Sequence, residues 1–126
     1  MNWQINQPEI VKEVRAAFDR YEKALVENDV ATLDALFWDS AHTVRYGVAE
    51  ELYGYDAIRN FRASRPAADL RRNLTNVAIA TFGSDFAAVS CEFRRSESGL
   101  RGRQMQTWAR TADGWKVVAA HVSLSR

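Results

Sequence analysis

From residue 71 to residue 125 the chain is strand-like almost throughout, interrupted only by three turn signals, and this run restricts the fold more than any other feature. Stretches 71–82, 86–95, 100–110 and 115–125 are rich in β-branched and aromatic residues. Gly83-Ser84-Asp85, Ser96-Glu97-Ser98-Gly99 and Asp113-Gly114 separate them, each a cluster that accepts turn conformations. Consecutive strands joined by short turns fold as an antiparallel meander. In the last hairpin, Thr111-Ala112-Asp113-Gly114 suits a three-residue loop with a bulge and glycine in the left-handed position, which predicts Thr111 opposite Trp115. Counting back puts Trp108 opposite Val118, Gln106 opposite Ala120 and Gln104 opposite Val122. Side chains alternate faces along a strand, so Met105 and His121 pair on the other side. One face offers two amides and an indole beside small residues, which leaves room for a small polar ligand. The other is small and apolar apart from His121, a surface for packing.

The first half reads as helix. Asn6 and Glu9 resemble a capping box with Pro8 in the first turn, and Val11, Val14, Phe18, Tyr21 and Leu25 recur every three or four residues. Asp29 can cap a short second helix that turns Val30, Leu33, Leu36 and Phe37 inward. A short strand follows at 43–46. A third helix starts near Tyr55, buries Ile58 and Phe61 and stops before Pro66, with Arg59, Arg62 and Arg65 along its polar side. Helices first and a meander afterwards is an α+β layout: a curved antiparallel sheet wrapped over the helices as a cone, whose mouth is a natural pocket. Its outer face has to be covered, and a homodimer through that face is the expected solution.

At 126 residues the chain is expected to form one domain, 1–126. It shows no basic segment followed by an apolar run, and no stretch near the ~20 apolar residues of a membrane span, so a cytoplasmic protein is expected. A formal charge of +1 argues against a nucleic-acid binder. Of the 17 basic residues, 14 are arginine, which reflects either genome composition or the use of planar forks for carboxylates. The lone Cys91 sits in an apolar strand and reads as buried rather than nucleophilic. His42 and His121 lack metal-ligand spacing, so neither a metal nor another cofactor is expected.

Arg45, flanked by Val44 and Tyr46, is expected to be covered, and a covered guanidinium needs an anion. Glu22, Asp39 and Glu92 are candidate internal partners; the alternative is the carboxylate of a small anionic ligand. Tyr21 lies on the buried stripe of the first helix, either as a core residue or with its hydroxyl toward the pocket. Gln104 and Gln106 form either a solvated strand face or a pair of amides able to read both donors and acceptors. The stretch Arg59-Arg62-Arg65-Arg71-Arg72 is expected to form a solvated face. No serine or cysteine has a histidine in evident reach.

The order of elements and the terminal Gly114-Trp115-Lys116-Val117-Val118-x-x-His121-x-Ser123 resemble the nuclear-transport-factor-like, or SnoaL-like, cone fold. More specifically, four motifs resemble the AtzH-like family. They are Leu36-Phe37-Trp38-Asp39-Ser40-x-His42-Thr43-Val44-Arg45-Tyr46-Gly47, Leu52-Tyr53-Gly54-Tyr55-Asp56-Ala57-Ile58, Gly102-Arg103-Gln104-x-Gln106-Thr107-Trp108 and the terminal strand. The resemblance implies a pocket that pairs a tyrosine of the first helix, Tyr21, with an arginine of the first strand, Arg45, as catalytic residues. Gln104, Gln106 and Trp108 are then substrate-binding, with Trp38 either a further contact or an aromatic of the core or lid. It also implies an amidohydrolase acting on a carboxylated urea or related N-acyl anion of cyanuric acid or oxalurate breakdown. The alternative is an accessory protein for an amidase-signature enzyme. Isomerase chemistry would need a central carboxylate, for which only Glu92 and Asp39 offer themselves.

Overall fold

The computed structural model describes residues 1–125. Helix α1 (Pro8–Val26) and helix α2 (Val30–Leu36) lead to strands β1 (Val44–Tyr46) and β2 (Glu51–Tyr53). Helix α3 (Tyr55–Ser64) follows, and then the long strands β3 (Arg72–Phe82), β4 (Phe86–Arg95), β5 (Arg101–Thr111) and β6 (Gly114–Leu124). All six strands form one sheet in the order β2-β1-β6-β5-β4-β3. The expected meander is present, but the sheet is mixed rather than wholly antiparallel. The short β1 lies parallel to β6, with Arg45 opposite Ala120, while β2, which has no alternating pattern long enough to read, pairs antiparallel to β1.

Burial explains where the helices sit. Ile10, Val14, Phe18, Tyr21, Ala24 and Leu25 of α1 face inward, the helical stripe expected, with Ile10 rather than Val11 at its start. They meet Ala87, Val89, Cys91, Trp108, Trp115 and Val117 of the sheet, while Leu33, Leu36 and Phe37 close the core from α2. Asp29 caps α2 as its side chain suggests: its two carboxylate oxygens accept from the Thr32 backbone N–H at 3.2 Å and hydroxyl at 2.7 Å. The α1 cap differs. Gln7 occupies that position without a side-chain bond, because Asn6 is used elsewhere. Asn6 takes φ of 56° and binds the rim of β3, donating its N–H to the Thr81 carbonyl (3.1 Å) and accepting the Thr81 N–H on Oδ1 (2.8 Å).

The terminal hairpin carries its extra residue in a different place from that expected. Thr111 pairs with Gly114 and Arg110 with Trp115, so Trp108 lies opposite Val117; the register shifts beyond Trp108, where β6 carries the surplus Val118. Past the shift the expected partners meet: Gln106 with Ala120, Met105 with His121 and Gln104 with Val122. A straight strand would send Val117 and Ala120, three positions apart, to opposite faces; the bulge lets both look inward. A second irregularity between Thr75 and Ala78, where Asn76 takes φ of 52°, bends β3 in the same way. Together they curve the sheet over α1.

Leu33 is fully buried between helices and sheet. Leu33→Ala is expected to lower the unfolding free energy by about 2–5 kcal/mol in urea titrations.

Candidate functional site

The inward residues of β5 set the floor of the cone. Trp108 is completely buried, and its indole N–H donates to Gln106 Oε1 at 3.1 Å. An indole nitrogen can only donate, so this contact dictates which end of the Gln106 amide faces the tryptophan. The other end, Nε2, is left buried without a partner among the described residues. Gln104, also buried, accepts on Oε1 from Arg72 Nη2 at 3.1 Å. Tyr21 packs onto this floor from α1: its ring stands edge-on to Trp108 with centroids 6.5 Å apart and lies tilted against Phe37 at 6.3 Å.

Arginines form the rest of the wall, and most of them are answered by carboxylates. Arg72 grips Glu22 through two bonds of 2.9 and 2.7 Å and lies over the Phe93 ring. Burial works against that charge, but the Glu22 carboxylate outweighs it and raises the Arg72 pKa above the ordinary arginine value. Arg62 bonds Asp34 at 2.7 Å and covers Phe37. Arg45, its side chain only 12% exposed, donates Nη1 to Glu50 Oε1 at 2.9 Å. None of its sequence-predicted partners is used: Glu22 holds Arg72, and Glu92 lies on the outer face accepting from Asn76 Nδ2 at 2.6 Å. Glu50 is steadied by the Ala49 N–H, 3.1 Å from Oε2. Its carboxylate lies over Gly47, where a Cβ would fall 1.6 Å from Oε1.

Arg65 is the exception. Its Nε and Nη2 are buried with no hydrogen-bond partner among the described residues, while Tyr21, Arg62, Arg45 and Glu50 are near enough to act on its charge. Burial pulls its pKa below the ordinary arginine value; the Tyr21 oxygen opposes that, and the charges of Arg62 and Arg45 add to it. The wall therefore holds Arg45, Arg62, Arg65 and Arg72 against Glu50, Asp34 and Glu22, one guanidinium more than carboxylates among the described residues.

Of the sequence-predicted site residues, Tyr21, Gln104, Gln106 and Trp108 come together inside the cone, and Arg45 reaches its edge through Glu50 and Phe61. Trp38 does not join them: half-buried, it stacks on exposed His42 with ring centroids 6.4 Å apart. His121 is exposed on the outer face, edge-on to Tyr46 at 5.7 Å. Cys91 is buried near Arg72 and Glu22, and burial pushes its thiol up from the ordinary value, the opposite of nucleophile activation.

The sequence matches the AtzH-like family over residues 3–126. The chain belongs to that family. Two solved structures are close to this AtzH-like chain. A protein of unknown function from Pectobacterium atrosepticum is 55% identical, with TM-score 0.94 over 97% of this chain and 95% of that one. A cystatin-like fold protein from Burkholderia xenovorans is 54% identical, with TM-score 0.93 over 98% and 97%. A nuclear transport factor 2-like superfamily protein from Salmonella enterica, 22% identical with TM-score 0.75 over 94% and 92%, shares the cone fold. No protein of curated function matches the chain.

Glu50 and Arg65 of this AtzH-like protein were the site residues hardest to foresee. Glu50 lies in a turn without motif. Arginines at 59, 62 and 65 look like one stripe, but steps of three residues drift by about 60° around a helix. Arg59 is thus exposed while Arg62 is 4% exposed. The Gly47–Glu50 contact gives a test. Gly47→Ala is expected to dislodge the Glu50 carboxylate from Arg45 and cost about 1–3 kcal/mol in chemical denaturation. Combined with Glu50→Ala the loss should be less than additive, since the clash disappears with the side chain.

Proposed function

We propose that this AtzH-like protein is a small hydrolase of a carboxylated urea or related N-acyl anion, working without a bound metal or cofactor. The observation that carries the reading is the buried polar floor, where Tyr21 packs on Trp108 and Trp108 holds an amide, Gln106, whose N–H₂ has no partner among the described residues. A buried donor left unmatched is costly unless a ligand completes it. In this reaction Arg45 binds a ligand carboxylate, with Glu50 taking only one of its five N–H groups. The Gln106 Nε2 donates to the ureido oxygen, and Gln104 lies beside it, its own oxygen held by Arg72. A water oxygen adds to the carbonyl carbon and the C–N bond breaks. The Tyr21 hydroxyl gives its proton to the departing nitrogen and recovers one from the added water. Catalysis then rests on placement and on donors aimed at the developing negative oxygen, which suits an intrinsically labile substrate. The test is ammonia release from dicarboxyurea-type, oxalurate and allophanate substrates. Arg45→Ala and Tyr21→Phe should each lower turnover by about a hundredfold or more while circular dichroism stays native; unchanged turnover in either rejects its assigned role.

The outer sheet face supports a homodimer. Met105 (62% exposed), Tyr46 and His121 stand around a shallow hollow of about 350 Å³ floored by Val44, Ala88, Thr107 and Ala119, and Tyr53 (64%) packs edge-on to Tyr46. Apolar surface of that kind is used for contact with protein. Met105→Glu is expected to convert a dimer to a monomer in light scattering. Should the wild-type chain be monomeric and silent on every substrate, the same face favours the accessory reading, with an amidase-signature enzyme as its occupant.

A further inference from the structure

Pro66 decides what Arg65 can do. The residue before a proline is driven out of the helical region, and Arg65 ends α3 with φ of −73° and ψ of 147°. The chain leaves the helix there, and the side chain buries its Nε and Nη2 beside Tyr21 instead of lying out with Arg59. Those two groups form one edge of the guanidinium fork, the edge that matches the two oxygens of a carboxylate. Arg72 has spent its fork on Glu22, Arg62 gives Nη1 to Asp34, and Arg45 is attended by Glu50. Arg65 alone keeps a dry, unanswered edge among the described residues. Across the Tyr21–Trp108 contact the same interior presents the second unanswered donor, Gln106 Nε2, 2% exposed as a residue.

We propose that Arg65 and Gln106 form an anion subsite, in which the Arg65 edge takes a planar carboxylate and Gln106 Nε2 donates to a carbonyl oxygen carried on the same small molecule. The proposal deepens the hydrolase reading, since it uses the same interior, but assigns the strongest hold on the substrate to the residue that follows α3. It follows from charge as well as geometry. An anion at Arg65 brings the interior guanidiniums and carboxylates into balance, and a neutral ligand does not. A cation is excluded by the same count.

The subsite is tested by binding, separately from turnover. Oxamate carries a carboxylate and an adjacent carbonyl; acetate carries the carboxylate alone. Oxamate is expected to raise the melting midpoint of the wild-type protein saturably, and acetate to do so more weakly. Arg65→Met, which removes the charge at similar length, should bind oxamate about ten- to a hundredfold more weakly. It should also leave the unliganded midpoint unchanged or higher, because a buried unpaired charge has gone. Arg65→Lys, which retains the charge but not the fork, should fall between the two. Gln106→Leu should bring oxamate binding down to the acetate level. A wild-type protein indifferent to oxamate overturns the subsite, as does Arg65→Met that binds it normally. A lowered midpoint with an intact oxamate response shows instead that Arg65 is structural, and that also overturns it. If Arg65 governs oxamate binding while no urea-like substrate is turned over, the subsite stands and the hydrolase reading falls. If turnover requires Arg45 and Tyr21 but not Arg65, the reverse holds.

Discussion

A guanidinium taken out of water needs an anion, and this small cone takes in four. The elements around the interior are arranged to meet that need. The bidentate Arg72–Glu22 pair ties β3 to α1, and Arg62–Asp34 ties α3 to α2. Arg45–Glu50 closes the β1–β2 hairpin on itself. Each pair crosses or seals a junction that the apolar core alone leaves open, and each lies over or beside an aromatic ring that excludes water from one side. Removing one partner from such a pair is expensive because the other charge remains buried. Arg72–Glu22 therefore pins α1 to the sheet, and Arg62–Asp34 pins α3 to α2.

The sheet separates two tasks by side-chain parity. Trp108, Gln106 and Gln104 look toward α1, while Met105, Thr107 and His121 look away. The two bulges preserve this separation while the sheet curves. Without the surplus Val118, Val117 and Ala120 could not both face the helix, and either Trp108 or Gln106 would lose its cross-strand neighbour. The curvature that creates an interior and the alternation that lines it with amides thus come from the same local irregularity.

Period-two alternation is a strong signal, which is why the inward set of β5 and the outward placement of His121 were legible from the residues. So were the α1 stripe and the Asp29 cap, since both are local. What could not be read was set by distant partners. Asn6 looked like a helix cap but is drawn to Thr81, seventy-five positions away. The partner of Arg45 was sought among acids on other elements and lies five residues on, its carboxylate resting where a Cβ on Gly47 would fall. The arginines near α3 and the start of β3 looked like a solvated face because arginine is usually outside. Only the aromatic rings and acids brought up from α1, α2 and β4 show that Arg62 and Arg72 are inside.

The unbalanced charge is informative because the fold balances the others so completely. A chain selected for stability alone gains nothing from Arg65: an apolar side chain of similar length would pack there without a desolvated edge. Nor does stability explain Gln106, whose oxygen is satisfied by Trp108 while its nitrogen faces the interior unmatched. Two such unsatisfied donors could each be a local imperfection. Tyr21 links them, acting on the Arg65 charge and packing on the Trp108 that holds Gln106, and the proposed subsite joins both to a single small anion. Retained polar strain of this kind concentrates where a ligand relieves it. The AtzH-like cone is thus braced by the arginines that have found their carboxylates, and the one that has not is where the proposed anion subsite is placed.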